Sequence, residues 1–188
     1  SSQSRGLGDV YKRQDDQRLR SLCDGTPLMS GLRECLDWII SNGHEVAIIS
    51  GGMQQTAREI ASMYPTNDPW KRRWGGINRH NKFDTKFHVF TNGWISKDDG
   101  TIDDYGRYQV QMNGKGSIVK MLQRRLDIPK SRTISIGDSA GDIGMFQESE
   151  LSICFNPWDE KPVQVAKITI RSRNLVDVLN EIRNFIKE

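Results

Sequence analysis

The stretch that decides the fold is Ile134-Ser135-Ile136-Gly137-Asp138-Ser139-Ala140-Gly141-Asp142, followed by Ile143-Gly144-Met145-Phe146. Isoleucine at alternate positions predicts a buried strand, and the later apolar residues, Ile143 and Phe146, return in helical spacing. A strand, a tight turn and a helix place Asp138 at the carboxyl end of a strand, where α/β sheets bind ligands. The carboxylates of Asp138 and Asp142 suit Mg²⁺, which takes oxygen ligands. Ordinary helix capping by Asp138 or Ser139 is the alternative.

Length and composition narrow the protein class. The chain has 188 residues, enough for one domain with a real core. Its hydrophobic share of 36% and charged share of 27% are typical of a globular protein. Lysine and arginine number 27 against 24 acidic residues, an excess too small and dispersed to indicate nucleic-acid binding. No apolar run approaches the ~20 residues of a membrane helix. Cys23, Cys35 and Cys154 form no CxxC pair, so we expect reduced thiols and a cytoplasmic protein.

Residues 1–14 show neither helical nor strand periodicity. Their end, Asp9-Val10-Tyr11-Lys12-Arg13-Gln14, is similar to the translation of a transposase end sequence used in DNA library preparation. We interpret residues 1–14 as adapter-derived, with a natural flexible terminus as the alternative. Under that interpretation the protein's own sequence begins near Asp15 and its natural N-terminus is missing.

Helical and strand patterns alternate along the rest of the chain. Apolar periodicity predicts helices over residues 30–42 and 54–64, from residue 114 to before Pro129, and after Asn174. Apolar runs predict strands over residues 45–50, 134–137, 151–155 and 168–170, and an antiparallel pair over 87–95 and 101–112. The predicted fold class is therefore α/β, a parallel sheet with helices on both faces plus a small antiparallel hairpin.

Polar side chains converge at one edge of that predicted sheet. Ser50 ends one strand, Asp138 and Asp142 follow another, and Lys115 stands at a helix start. A hydroxyl, a cation, two carboxylates and glycine-flanked helix N-termini suit a phosphate group and a Mg²⁺ ion. Each residue also has a structural alternative: helix caps, a solvated lysine and an acid on a helix surface.

These motifs resemble the haloacid dehalogenase superfamily of phosphatases, in its phosphoserine-phosphatase-like branch. The residues that carry the resemblance are Ile48-Ile49-Ser50-Gly51-Gly52, Lys115 in Gly-Lys-Gly, and Gly137-Asp138-Ser139-Ala140-Gly141-Asp142. Supporting matches are Pro27-Leu28-Met29-Ser30-Gly31, Phe155-Asn156-Pro157 and residues 174–179. The resemblance implies a Rossmann-like core over residues 27–188, with a loop insertion near 65–85.

The resemblance also implies a role for each motif. Ser50, Gly51 and Gly52 would bind the substrate phosphoryl oxygens, and Lys115 would neutralise their charge as a catalytic residue. Asp138 would bind Mg²⁺ directly. Asp142 would belong to the catalytic and metal-site residues by orienting a metal-bound water or Lys115. The implied function is Mg²⁺-dependent hydrolysis of a small phosphorylated metabolite such as phosphoserine, with no nucleic-acid or membrane partner. Substrate identity and oligomeric state stay open.

The family's first motif has no counterpart in this sequence. That motif is a strand ending in Asp-x-Asp, whose first aspartate forms an aspartyl-phosphate. Leu22 stands where the nucleophile would precede Asp24-Gly25-Thr26, which we interpret as a turn. Residues 15–26 then form the remnant of a helical cap, and the central strand of the sheet is missing. We expect an enzyme when intact and an inactive fragment here; the alternative is a non-catalytic phosphate-binding or regulatory relative.

A basic and aromatic loop spans residues 70–82, with Trp70, Arg72, Arg73 and Trp74 interleaved. Such a pattern can stack on bases or bind anions. A solvated loop whose tryptophans pack onto the domain is the interpretation we favour.

Overall fold

The computed structural model describes Arg18, Ser21 and residues 26–65 and 86–187. The predictions for residues 1–14, for the turn at residues 24–25 and for the loop at 70–82 lie outside these residues, as does most of the predicted cap remnant. The chain divides into two compact units, which are residues 1–27 with 50–109, and residues 28–49 with 110–188.

The helices and strands alternate as follows. In chain order they are α1 (Leu32–Ser41), β1 (Val46–Met53), α2 (Gln54–Ser62), β2 (Phe87–Ser96), β3 (Ile102–Arg107), α3 (Lys115–Leu126), β4 (Ile134–Gly137), α4 (Ile143–Gln147), β5 (Leu151–Phe155), α5 (Glu160–Val165), β6 (Ile168–Ile170) and α6 (Val176–Lys187). Short 3-10 turns cover Lys130–Arg132 and Ala140–Asp142. The described strands form two three-stranded sheets, ordered β1-β2-β3 and β4-β5-β6.

The second unit is built around β5, which pairs in parallel with β4 on one side and β6 on the other. Its first four residues are buried, as an apolar strand in the middle of a parallel sheet should be. Helices α4 and α6 both pack against β5. The buried core of this unit comprises Cys35, Leu151, Ile153, Val178, Leu179 and Ile182.

Two glycines set the ends of α1. Gly31 precedes the helix with a left-handed φ of 78°, and Gly43 follows it with a φ of 82°. Both values lie in a region that residues with a Cβ rarely adopt. A Cβ on Gly31 would also lie 2.1 Å from Oδ1 of Asn174, and Leu175 N–H donates to the Ser30 carbonyl at 2.8 Å. The start of α1 is therefore fixed against the segment that precedes α6.

The first unit holds the antiparallel hairpin of β2 and β3, with Trp94 opposite Gly106. The first five residues of β2 are buried, and the ring of Phe87 stacks on Tyr64 at 5.4 Å. Helix α2 packs against β2 and buries Ala57 and Ala61. Small residues on this face of α2 let the helix approach the strand closely.

The predicted α/β class is confirmed, with a parallel sheet and the antiparallel hairpin both present. The bounds of β5 and β6 are those predicted. Helix α5 is not among the predicted elements; its Pro162 stands in the first turn, where the missing N–H is tolerated. Asp159 caps this turn by accepting from Lys161 N–H at 2.9 Å. Among the described residues, every helix is too short or too polar to span a membrane.

Candidate active site

The loop after β4 folds back so that Asp142 binds the start of its own turn. Its Oδ2 accepts from Asp138 N–H at 2.9 Å, from Ser139 N–H at 3.0 Å and from Ser139 Oγ at 3.2 Å. Ser139 is the N-cap of the 3-10 turn and forms a capping box with Asp142. The capping role that the sequence left open for Asp138 or Ser139 thus belongs to Ser139.

Gly137 explains why β4 ends in glycine. A Cβ at this position would lie 2.4 Å from Cγ and 2.6 Å from Oδ2 of Asp142. Such distances are too short for real contacts, so only glycine lets the Asp142 carboxylate fold against the strand end. The φ of Gly137 is not positive, so its backbone conformation does not require glycine. Close packing against Asp142 does.

Lys115 meets Asp142 from the first residue of α3. Its Nζ lies 2.6 Å from Asp142 Oδ1, and the Lys115 and Asp142 side chains are 17% and 3% exposed. A short, largely desolvated contact of this kind is a strong charge-assisted hydrogen bond. Both oxygens of Asp142 are therefore occupied by donors of the protein itself.

A pair of glycines places α3 beside the loop. A Cβ on Gly116 would lie 2.6 Å from the carbonyl oxygen of Gly144, and a Cβ on Gly144 would lie 3.3 Å from Gly116 N. The backbones of α3 and α4 thus touch directly, one residue from Lys115 and two from Asp142. Larger side chains at either position would push the cation away from the carboxylate.

The two carboxylates have opposite pKa shifts. Burial raises the pKa of Asp138, and the neighbouring Asp142 carboxylate raises it further. Burial also acts to raise the pKa of Asp142, but the hydrogen bond and charge of Lys115 and the N–H groups of Asp138 and Ser139 outweigh it and hold that pKa below its usual value. Asp142 is the carboxylate that stays ionised, and Asp138 is the one whose charge a cation would stabilise.

Asp138 fits the role of a metal ligand better than Asp142 does. Mg²⁺ takes oxygen ligands, and the oxygens of Asp142 already accept from Lys115, Asp138 and Ser139. Within residues 26–65 and 86–187, no three His, Cys, Asp or Glu side chains converge as a ready metal site. A cation here would complete its shell with water or a ligand, which is usual for Mg²⁺.

The predicted phosphate-binding residues Ser50, Gly51 and Gly52 lie at the end of β1, in the first unit. Gly52 N–H donates to Ser50 Oγ at 3.1 Å. A Cβ on Gly51 would meet no atom within 4 Å, so the space beside this backbone is open. Gly51 and Gly52 line an open hollow of about 320 Å³ together with Asn92, Gly93, Trp94 and Gly106.

The structure thus joins Lys115, Asp138 and Asp142 in one unit and keeps Ser50 with its two glycines in the other. Their roles in binding and catalysis stay predictions. Sequence reasoning missed Asn92, which contacts Gly51 across 41 residues and carries no local signal.

Comparison with known proteins finds similarity to one family over part of the chain. Residues 108–182 match the family described as haloacid dehalogenase-like hydrolase. The chain is 28% identical over 155 residues to the phosphoserine phosphatase of Methanocaldococcus jannaschii, an alignment that covers 81% of this chain and 63% of the relative. Residues 108–182 thus resemble haloacid dehalogenase-like hydrolases, and the chain as a whole is similar to a phosphoserine phosphatase. It spans less than two thirds of the length of this curated relative.

Solved structures support the fold of this chain. A phosphoserine phosphatase in its apo form superimposes with a TM-score of 0.71 at 23% identity, over 91% of this chain and 75% of that one. A phospho-aspartyl intermediate analogue of phosphoserine phosphatase gives a TM-score of 0.70 at 22% identity, over 92% and 72% of the two chains. Similarity at this level of identity carries the architecture alone.

Proposed function

We propose that the protein to which this chain belongs hydrolyses a phosphomonoester of a small metabolite such as phosphoserine. The observation that carries the proposal is the Lys115–Asp142 pair packed against Asp138 at the carboxyl end of β4. A fixed cation beside a carboxylate of raised pKa suits a site that receives a phosphoryl group and a metal ion. The relative from Methanocaldococcus jannaschii, named phosphoserine phosphatase, supports this substrate class.

Each side chain has a role that its contacts support. Lys115 neutralises the phosphoryl group, and Asp142 positions Lys115 because both of its oxygens are engaged. Ser50 Oγ binds a phosphoryl oxygen in the open space beside Gly51, and Gly52 N–H holds that hydroxyl in place. Asp138 would hold Mg²⁺, which would supply Lewis-acid polarisation of a phosphoryl oxygen.

The nucleophile of the proposed reaction is an aspartate that forms an aspartyl-phosphate. None of the 188 residues belongs to an Asp-x-Asp motif. We therefore propose that this chain by itself does not turn over phosphate esters and that the nucleophile belongs to sequence encoded upstream of Asp15.

The test is release of inorganic phosphate by the full-length gene product, from a panel of phosphomonoesters that includes phosphoserine, with Mg²⁺ and with a chelator. Asp138→Asn and Lys115→Ala should each lower kcat on the order of a hundredfold or more. The matched controls are Asp127→Asn, at an exposed left-handed position that asparagine tolerates, and Lys120→Ala on the same helix as Lys115. Absence of release from every ester, or full activity of Asp138→Asn, would reject the proposal.

A second candidate follows from the missing motif: a relative that binds phosphate without hydrolysing it. The Lys115–Asp142 pair and the Ser50 segment would serve binding equally well. The DNA upstream of the Asp15 codon distinguishes the two. An open frame that encodes a strand with Asp-x-Asp supports the enzyme, and a genuine start codon at that point supports the binding protein.

A further inference from the structure

Asn92 in β2 connects three segments of the first unit. Its Nδ2 donates to the carbonyl oxygen of Gly51 at 3.3 Å, and its Oδ1 accepts from Gln109 N–H at 2.7 Å. Gln109 returns a hydrogen bond, since its Oε1 accepts from Thr91 N–H at 3.1 Å. The Asn92 side chain thus binds the Gln109 backbone, and the Gln109 side chain binds the backbone of Thr91, the residue before Asn92. We term this pair of side chains the amide clasp; within it, the backbone N–H of Gln109 holds the Asn92 side chain in place against Gly51.

The contact with Gly51 fixes one peptide group at both of its ends. The carbonyl of Gly51 and the N–H of Gly52 belong to the same planar peptide. Asn92 holds the carbonyl oxygen, and Ser50 Oγ accepts from the N–H at 3.1 Å. A rotation of this peptide would break both hydrogen bonds, so its orientation and that of the Ser50 hydroxyl are coupled.

The coupling leaves the hydroxyl hydrogen of Ser50 available for a ligand. A hydroxyl has one hydrogen to donate and two lone pairs, and Gly52 N–H occupies one of those lone pairs. The hydroxyl is thus oriented as a donor. A phosphoryl oxygen beside Gly51 is the kind of acceptor that it would meet.

We propose that Asn92 is a positioning residue for phosphate binding, acting through the Gly51–Gly52 peptide on Ser50. The proposal rests on the proposed function only in naming phosphate as the ligand. Asn92 itself need not touch the phosphate. Gln109, the other half of the amide clasp, stabilises the hairpin in the same way but makes its side-chain contact with Thr91 and not with Gly51.

Asn92→Ala and Gln109→Ala are therefore a matched pair, tested in the full-length gene product. The first readout is hydrogen exchange of the Gly52 amide in the phosphate-free protein, which Asn92→Ala should accelerate and Gln109→Ala should not. The second is the Kd of inorganic phosphate by calorimetry, which Asn92→Ala should raise about fivefold, the worth of one neutral hydrogen bond. The melting temperature should fall in both variants, since each leaves a backbone N–H without its acceptor.

Equal effects of both variants on phosphate affinity would show a purely structural role and overturn the proposal, as would an unchanged Kd in Asn92→Ala. Asn92→Ser, whose shorter side chain does not reach Gly51, replaces Asn92→Ala if the latter does not fold. A wild-type protein that binds no phosphate would reject the proposed function. In that case, hydrogen exchange of the Gly52 amide still tests whether Asn92 holds the Gly51–Gly52 peptide. An unchanged exchange rate in Asn92→Ala would overturn this positioning role as well.

Discussion

The two groups of predicted site residues, one in each compact unit, are held by different forces. Around Asp142, a buried carboxylate takes four hydrogen bonds, one of them from a cation, and neighbouring glycines leave no room for a methyl group. Around Gly51, neutral amides and a hydroxyl hold one exposed peptide, and the adjacent space is open. Charge and tight packing therefore determine the geometry around Asp142, whereas the orientation of a single peptide determines the geometry around Gly51.

Removing the cation should have the largest effect on stability. Lys115→Met leaves Asp142 buried without its charged partner, so the free energy of unfolding should fall by about 3 kcal/mol. Urea denaturation of this chain measures the change. Lys120→Met removes an exposed ion pair with Glu148 from the same helix and should lower the free energy by less than about 0.5 kcal/mol. Equal losses in the two variants would mean that the buried pair contributes no more than a surface pair.

The next largest effect on stability should come from adding one methyl group, which the region around Asp142 should tolerate less well than the region around Gly51. Gly137→Ala drives a Cβ into the Asp142 carboxylate and should lower the free energy of unfolding by about 2 kcal/mol. Gly51→Ala adds the same methyl in open space and should change it by less than about 0.5 kcal/mol. Thermal and urea unfolding of both variants test this contrast, which a strongly destabilised Gly51→Ala would contradict.

At Gly51, in contrast, an added methyl group should affect phosphate affinity more than it affects stability. The methyl of Gly51→Ala occupies the space proposed for phosphate, so the Kd of inorganic phosphate should rise on the order of tenfold, as overpacking predicts. Calorimetry on the full-length gene product measures this Kd. Gly43 and Gly100 have left-handed φ values, so their alanine variants are unsuitable controls, and Ala166→Gly at the half-buried residue that follows α5 serves instead. Unchanged affinity in Gly51→Ala would place phosphate elsewhere.

The smallest expected effect is on the alkylation rate of Cys35, a buried thiol in the core of the second unit. Burial raises the pKa of the Cys35 thiol to about 11, with the charge of Arg183 acting in the opposite direction. Because the nucleophilic thiolate is then about a hundredfold scarcer than at the usual pKa, alkylation at pH 8 should be slow. Gly51→Ala should leave this rate unchanged, while Gly137→Ala should raise it by populating open states. Mass spectrometry of the peptide that contains Cys35 after iodoacetamide treatment measures both rates. Faster alkylation in Gly51→Ala would contradict the expectation that a change at Gly51 leaves the core of the second unit undisturbed.

Local pattern was enough to predict most elements, because the periodic burial that forms them is written in neighbouring residues. β5 and β6 have their predicted bounds, while β1 extends past Ser50 to Met53 and the six-residue helix α5 was not predicted. Spacing also brought out Asp138 and Asp142, which one short turn connects. The contacts of Asn92 with Gly51 and Gln109 join residues 41 and 17 positions apart, and no local pattern specifies them.

The backbone contact between Gly116 and Gly144 has a consequence for mutational tolerance. A Cβ on Gly116 meets a carbonyl oxygen at 2.6 Å, whereas a Cβ on Gly144 meets its closest atom at 3.3 Å. A complete substitution scan should therefore find Gly116 as intolerant as Lys115 and Gly144 somewhat less so. In such a map, intolerance at Gly116 would measure how closely two helices approach and would mimic the signature of a chemical role.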